Sequence, residues 1–149
     1  MNIIKMTQSH IKQVAQIESL CFSHPWSEES IMDSFINPCN QFYISVEENK
    51  VVGYIGLSVI VDEGYILNVA VHPHCQGKGI GKALVKTVDD FAVENNLAFV
   101  TLEVRPSNEK AVSLYESFGF TKVGERKDYY SNPKENALLL TKYYNSKKE

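Results

Sequence analysis

Apolar side chains recur along this chain with two periods, and each change of period marks a boundary between elements. Phe42, Ile44 and Val46 alternate with polar neighbours across residues 41–47, and a second apolar stretch runs over 51–61. Period two reads as strand, and Glu48, Asn49 and Lys50 join the two as a hairpin. Gly53 and Gly56 interrupt the second strand and mark a bulge or a close approach. Residues 2–6 read as a short first strand, and 62–64 as the turn that follows the hairpin. Residues 65–71 are then almost continuously apolar, which predicts a strand covered on both faces. Residues 99–105 alternate, with Val100, Leu102 and Val104 on one face and Thr101, Glu103 and Arg105 on the other. Residues 120–130 and 136–143 supply two more strands around Asn132 and Pro133, and 146–149 form a polar tail.

Spacings of three and four residues place helices between these strands. Ile11, Val14, Ala15, Ile17 and Leu20 lie along one side of a helix that Thr7 can cap. Ser27 caps a second helix, with Glu28 and Glu29 in the first turn where the helix dipole favours acids, and Asn37-Pro38 stops it. Trp26 and Ile31 occupy hydrophobic-staple positions, so Trp26 is either a staple or a substrate contact. Leu84, Val85, Val88, Phe91 and Ala92 define a third helix ended by Asn95 and Asn96. The fourth carries Ala111, Leu114, Tyr115 and Phe118, is capped by Ser107 or Asn108, and closes on Gly119 with Phe120 as a Schellman end. Tyr115 is thus first a core residue, whose hydroxyl needs a partner if buried. Strand, helix, strand around the third helix implies a parallel pair, and ligands bind such sheets beyond the carboxyl ends of the strands.

At 149 residues, 44% of them apolar, the chain suits one packed domain spanning 1–149. A net charge of −3 and a pI near 5.8 exclude a nucleic-acid binder driven by overall charge, leaving only a local basic patch. Lys5, His10 and Lys12 break up any signal-like apolar run, and no stretch is long enough to span a bilayer. Cys21, Cys39 and Cys75 lie far apart without disulfide or metal-ligand spacing, as in a reducing cytoplasm, where the protein is expected.

The chemistry gathers after the strand at 65–71, in Gln76-Gly77-Lys78-Gly79-Ile80-Gly81-Lys82. Glycines at a helix entrance admit a ligand close to the backbone, and first-turn N–H groups with the helix dipole favour an anion. The same glycines also serve a turn that only has to be tight. A nucleotide P-loop is excluded, because Gln76 and Ala83 stand where its first Gly and its hydroxyl residue belong; a dinucleotide fingerprint is excluded by Lys82 at its third glycine. What remains resembles the acetyl-CoA signature of the GNAT N-acetyltransferase superfamily. The resemblance implies an α/β fold with a mixed central sheet of six to seven strands flanked by four helices. The cosubstrate acetyl-CoA would sit in the splay between two central parallel strands. Its pyrophosphate would lie on residues Gln76, Gly77, Lys78, Gly79, Ile80, Gly81 and Lys82, and its pantetheine arm along the backbone of Val69, Ala70 and Val71.

Over the whole chain the resemblance is to the bacterial ribosomal-protein-alanine N-acetyltransferases, the RimI-like group. It is carried by residues 22–27, 67–71, 76–81 and 102–105, by Asn108 through Phe120, and by Arg126 with Tyr129 and Tyr130. It implies Glu103 as general base, Tyr115 as general acid, Asn108 on the cofactor, and Trp26, Tyr129 and Tyr130 on the substrate. Where that group has an acid before the last strand's alanine, this chain has Asn136, with Glu135 one position earlier. The implied acceptor is the N-terminal α-amine of a ribosomal protein; the implied protein is a monomer or weak dimer needing no metal, nucleic acid or membrane. Two other classes remain open: acetylation of a small amine such as a polyamine or aminoglycoside, and a non-catalytic coenzyme A-binding module. Glu103 also has a plainer reading, a strand carboxylate paired with Arg105 or a lysine on a solvated face.

Overall fold

A computed structural model describes residues 2–144. The alternating segments become strands β1 (Asn2–Lys5), β2 (Asn40–Glu47), β3 (Lys50–Ile60), β4 (Glu63–Val71), β5 (Phe99–Val104), β6 (Thr121–Tyr130) and β7 (Glu135–Tyr143). They form one sheet in the order β1-β2-β3-β4-β5-β7-β6. Helices α1 (Ile11–Cys21) and α2 (Glu28–Phe35) cover one face, and α3 (Ile80–Glu94) and α4 (Glu109–Ser117) the other. Leu84, Val85 and Val88 of α3 bury against Val100 and Leu102 on one side, while Ile11, Val14 and Ile17 of α1 bury with Ile44 and Tyr54 on the other.

Strands β4 and β5 are the parallel pair, matched at Glu63 with Phe99, Gly64 with Val100 and Tyr65 with Thr101. Beyond these three positions the ladder stops and the strands part. The second half of β4 and the end of β5 therefore border an opening, the place where open α/β sheets take ligands.

A bulge in β4 aims the residues beside that opening. Gly56 pairs with Asn68 but Leu57 with Ile66, so Leu67 is the extra residue. Strict alternation would send Leu67 and Asn68 to opposite faces. With the bulge, Ile66 and Val69 pack toward α3, whereas Leu67 packs with the α1 core and Asn68 reaches a side chain of α1. Gly56 is needed opposite, since a Cβ there would lie 2.5 Å from the Phe42 ring.

The caps come out largely as the sequence indicates. Ser27 Oγ accepts from Ser30 N at 3.1 Å, and Asn108 rather than Ser107 caps α4, accepting from Ala111 N at 3.2 Å. Gly119, at φ 98°, closes α4: Phe120 N donates to Tyr115 O and Gly119 N to Glu116 O, and the Tyr115 and Phe120 rings meet edge to face at 5.6 Å. Three expectations are corrected. Leu20 is 57% exposed, and the inner face of α1 is completed by Glu18, 1% exposed. Thr7 begins a short 3-10 turn, Gln8–His10, in place of capping α1 directly. The turn before β4 falls at Val61 and Asp62, with Val61 at φ 58°, while Gly64 lies inside the strand, packed against Val100 and Leu97. The tail at 146–149 lies outside the described residues. Among those residues, no helix is long and apolar enough to cross a membrane.

Candidate active site

The parting of β4 and β5 opens into a cleft of about 690 Å³. Glu103 enters it from β5, Tyr115 from α4, and Trp26 from the loop between α1 and α2. Tyr129 and Tyr130 close it from the end of β6, and Val69 and Asn108 also line it. Residues far apart in the chain are thus gathered into one space.

Glu103 is not a solvated strand carboxylate. Its side chain is 6% exposed, and its partner is neither Arg105 nor a lysine but Arg126, whose Nε donates to Oε2 at 2.7 Å. The Tyr65 hydroxyl donates to Oε1. Burial, then this bond to Glu103, hold the Tyr65 phenol above its ordinary value. Tyr115 is 3% exposed, and burial followed by the charge of Tyr130 raises its phenol as well. A phenol so placed stays protonated at neutral pH and can give a proton but not take one. Among the described residues its hydroxyl has no hydrogen-bond partner, which leaves it free toward the cleft.

The tyrosine pair rests on a braced loop. Tyr129 and Tyr130 meet edge to face at 5.0 Å, and the Arg105 guanidinium lies 4.3 Å over the Tyr130 ring. Arg105 also donates to Pro133 O at 2.9 Å, Ser131 O at 3.2 Å and Glu135 at 3.2 Å. Glu135 accepts from Ser107 N and Oγ in turn. Despite burial, these donors hold its carboxyl below the usual range. Asn136 accepts from Asp128 N at 2.9 Å, so both residues that precede Ala137 are committed to the loop's own framework. Burial and then Tyr129 push the Tyr130 phenol up to about 12.

The glycine turn stands beside this cleft and not on its lining. Gly77 and Gly79 have φ of 83° and 82°, a region that favours glycine, and an added Cβ at either would meet nothing within 4 Å. Packing therefore does not require glycine at these two positions; the backbone conformation does. Gly79 is the N-cap of α3, whose first turn holds no acid and is flanked by Lys78 and Lys82, so an anion is favoured there. Gly81 is inside the helix, 3.5 Å from Leu114 measured from an ideal Cβ. Ile80 is 1% exposed and Ala70 6%, so any contact they make to a ligand is through backbone. Gln76 Nε2 donates to Val71 O at 3.2 Å, and Val69 N donates to Asn68 Oδ1 at 3.1 Å.

Residues 11–120 match the model of the Acetyltransferase (GNAT) family. The chain belongs to that family. A ribosomal protein bS18-alanine N-acetyltransferase of Escherichia coli K12 is 32% identical over 126 residues, 83% of this chain and 84% of the relative. An uncharacterized N-acetyltransferase of Methanocaldococcus jannaschii is 32% identical over 148 residues, 99% of this chain and 95% of the relative. The crystal structure of the ribosomal-protein-S18-alanine N-acetyltransferase from Escherichia coli superposes with a TM-score of 0.88 at 28% identity, covering 94% of this chain and 91% of that one.

Two features of this GNAT site were not read from the sequence: the brace on Glu103 and the place of Glu18. Tyr65 and Arg126 hold Glu103 from either side, but their contact to it spans 38 and 23 residues, which no local pattern encodes. Glu18 lines the cleft as well. It did leave a sign: Ile11, Val14 and Glu18 follow one another at spacings of three and four, so an acid stands on an apolar stripe. With a buried carboxylate and a protonated phenol lining one cleft, this GNAT arrangement can remove a proton at one group and supply one at the other.

Proposed function

We propose that this protein transfers the acetyl group of acetyl-CoA to the N-terminal α-amine of a protein, with the N-terminal alanine of its own organism's ribosomal protein bS18 as acceptor. The observation that carries the proposal is the meeting of Glu103 and Tyr115 in one cleft walled by Trp26 and the Tyr129–Tyr130 pair. The named relatives over most of the chain support the choice of acceptor.

An α-amine has a pKa of about 7.7 to 8.0, so it arrives mostly as ammonium and cannot attack a thioester until a proton leaves. Glu103 takes that proton, directly or through one water, with Tyr65 and Arg126 fixing its orientation. Backbone N–H groups of β4 polarise the thioester carbonyl, Tyr115 protonates the departing thiolate, whose reference pKa is about 8.5, and the second proton that the nitrogen sheds on becoming an amide balances the one Tyr115 gives. Lys78, Lys82 and the N–H groups at the start of α3 would hold the pyrophosphate, and Asn108, which lines the cleft, would contact the same cosubstrate. Acetyl-CoA supplies the activated acyl group and departs as coenzyme A.

Steady-state rates with acetyl-CoA on peptides that differ in their first residue, beside spermidine and an aminoglycoside, test the proposal. Preference for the alanine-initiated peptide is expected. Turnover of spermidine with no activity on any peptide would overturn it in favour of a small-amine acetyltransferase, and binding of coenzyme A without turnover would point to a non-catalytic module.

A further inference from the structure

We infer that Glu18 is a positioning residue for the acceptor side of the reaction, tying the loop that carries Trp26 to the bulged segment of β4; this rests on the acetyl-transfer reading of the cleft. Its carboxylate is 1% exposed and accepts from three neutral donors on three separate elements. Trp26 N donates to Oε1 at 2.9 Å. The Tyr54 hydroxyl of β3 and Asn68 Nδ2, the latter at 2.5 Å, donate to Oε2. Among the described residues no cation pairs with it.

Packing alone does not call for a carboxylate here, because an apolar side chain of similar size holds a core at least as well as an isolated buried charge. What the three donors share is their place. Trp26 carries the outer wall of the cleft. Asn68 follows the bulge that turns β4 toward the opening and engages the Val69 N–H through its own Oδ1. Tyr54, fully buried in the middle of the sheet, is the fixed point. Glu18 therefore sets the distance between the wall that receives the acceptor and the strand that presents the acyl group. Both its oxygens are committed, so it does not compete with Glu103 for the proton of the amine.

Trp26 is the only tryptophan of the chain, so its fluorescence reports on this loop alone. In Glu18→Gln one amide cannot accept from all three donors, and its nitrogen faces either Trp26 N or Asn68 Nδ2; Glu18→Ala removes all three bonds. Losing one buried hydrogen bond corresponds to about a tenfold rise in KM for the alanine-initiated peptide, with KM for acetyl-CoA held within about twofold. Acrylamide quenching of Trp26 should increase in Glu18→Ala at temperatures where thermal melting shows the variant folded. Wild-type peptide KM and quenching in both variants would overturn the inference. So would kcat falling in step with the folded fraction while both KM values stay at wild type, which is the mark of a core residue only. If wild-type enzyme ignores the peptide, the acceptor assignment fails, while the quenching comparison, which needs no substrate, still decides the role of Glu18.

Discussion

The roles of Glu103 and Tyr115 separate at the level of single atoms. Glu103→Gln keeps the size of the side chain and can still accept from Tyr65 or Arg126, but it cannot carry away the proton of an ammonium. Its rate near neutral pH should fall by roughly a hundredfold or more, with partial recovery at alkaline pH as the amine deprotonates in solution. Rates of both forms on an alanine-initiated peptide across pH check this, and full neutral activity in the variant would remove Glu103 from the mechanism. Tyr115→Phe deletes only an oxygen, since the ring is held by the Phe120 contact and by the closing bonds of α4. Turnover should therefore drop by more than either the melting temperature or the affinity for acetyl-CoA. Normal turnover would mean that water or another group protonates the thiolate.

At the level of elements, the glycine turn divides into positions that need glycine for different reasons. Gly79 caps α3 in the left-handed region, where a side chain costs about 1–2 kcal/mol, whereas Gly81 has helical neighbours and an open contact to Leu114. Gly79→Val should lose acetyl-CoA binding and some stability together. Gly81→Val should lose binding without that backbone strain, because its Cβ makes only ordinary contacts, 3.5 Å to Leu114 and 3.8 Å to Val71, while a ligand lying against the turn would meet the branch. Calorimetric titration with acetyl-CoA on folded variants reads both, and unchanged affinity in each would make the turn purely structural. The local features of these elements were legible in the sequence: the Ser27 and Asn108 caps, the Schellman end and the glycine turn all depend on neighbours within a few residues. The Gly56 interruption also signalled its close approach. Less visible was the direction that the bulge gives to Asn68, because its effect appears only when β4 is paired with β3 and laid against α1. Leu20 misled for the opposite reason. Its spacing suits the stripe, yet α1 ends one residue later and the sheet-facing position goes to Glu18.

For the molecule as a whole, the sheet keeps one core on each face, and Glu18 is the carboxylate set inside the second of them. Burial raises its pKa, opposed by the bonds from Tyr54 and Trp26 N. The folded state therefore binds the Glu18 proton more tightly than the unfolded chain, whose carboxylates titrate near about 4.3. Its contribution to stability is present at low pH and is withdrawn as pH rises through the raised value in the fold. Glu125 and Glu135 have the opposite sign, because their carboxyls are lowered in the fold and contribute above the unfolded value. Comparing a variant with the wild type at each pH cancels those two and isolates Glu18. The groups facing it do not titrate in the window: Tyr54 is raised well above its ordinary value and Cys21 is raised by burial and by Glu18 itself. The melting temperature of Glu18→Gln minus that of wild type should thus be larger at pH 8 than at pH 5, whatever its value at either. Calorimetric melts at the two pH values decide it. A difference that shrinks with rising pH would mean that the three donors outweigh burial and that the carboxylate is held ionised with a lowered pKa.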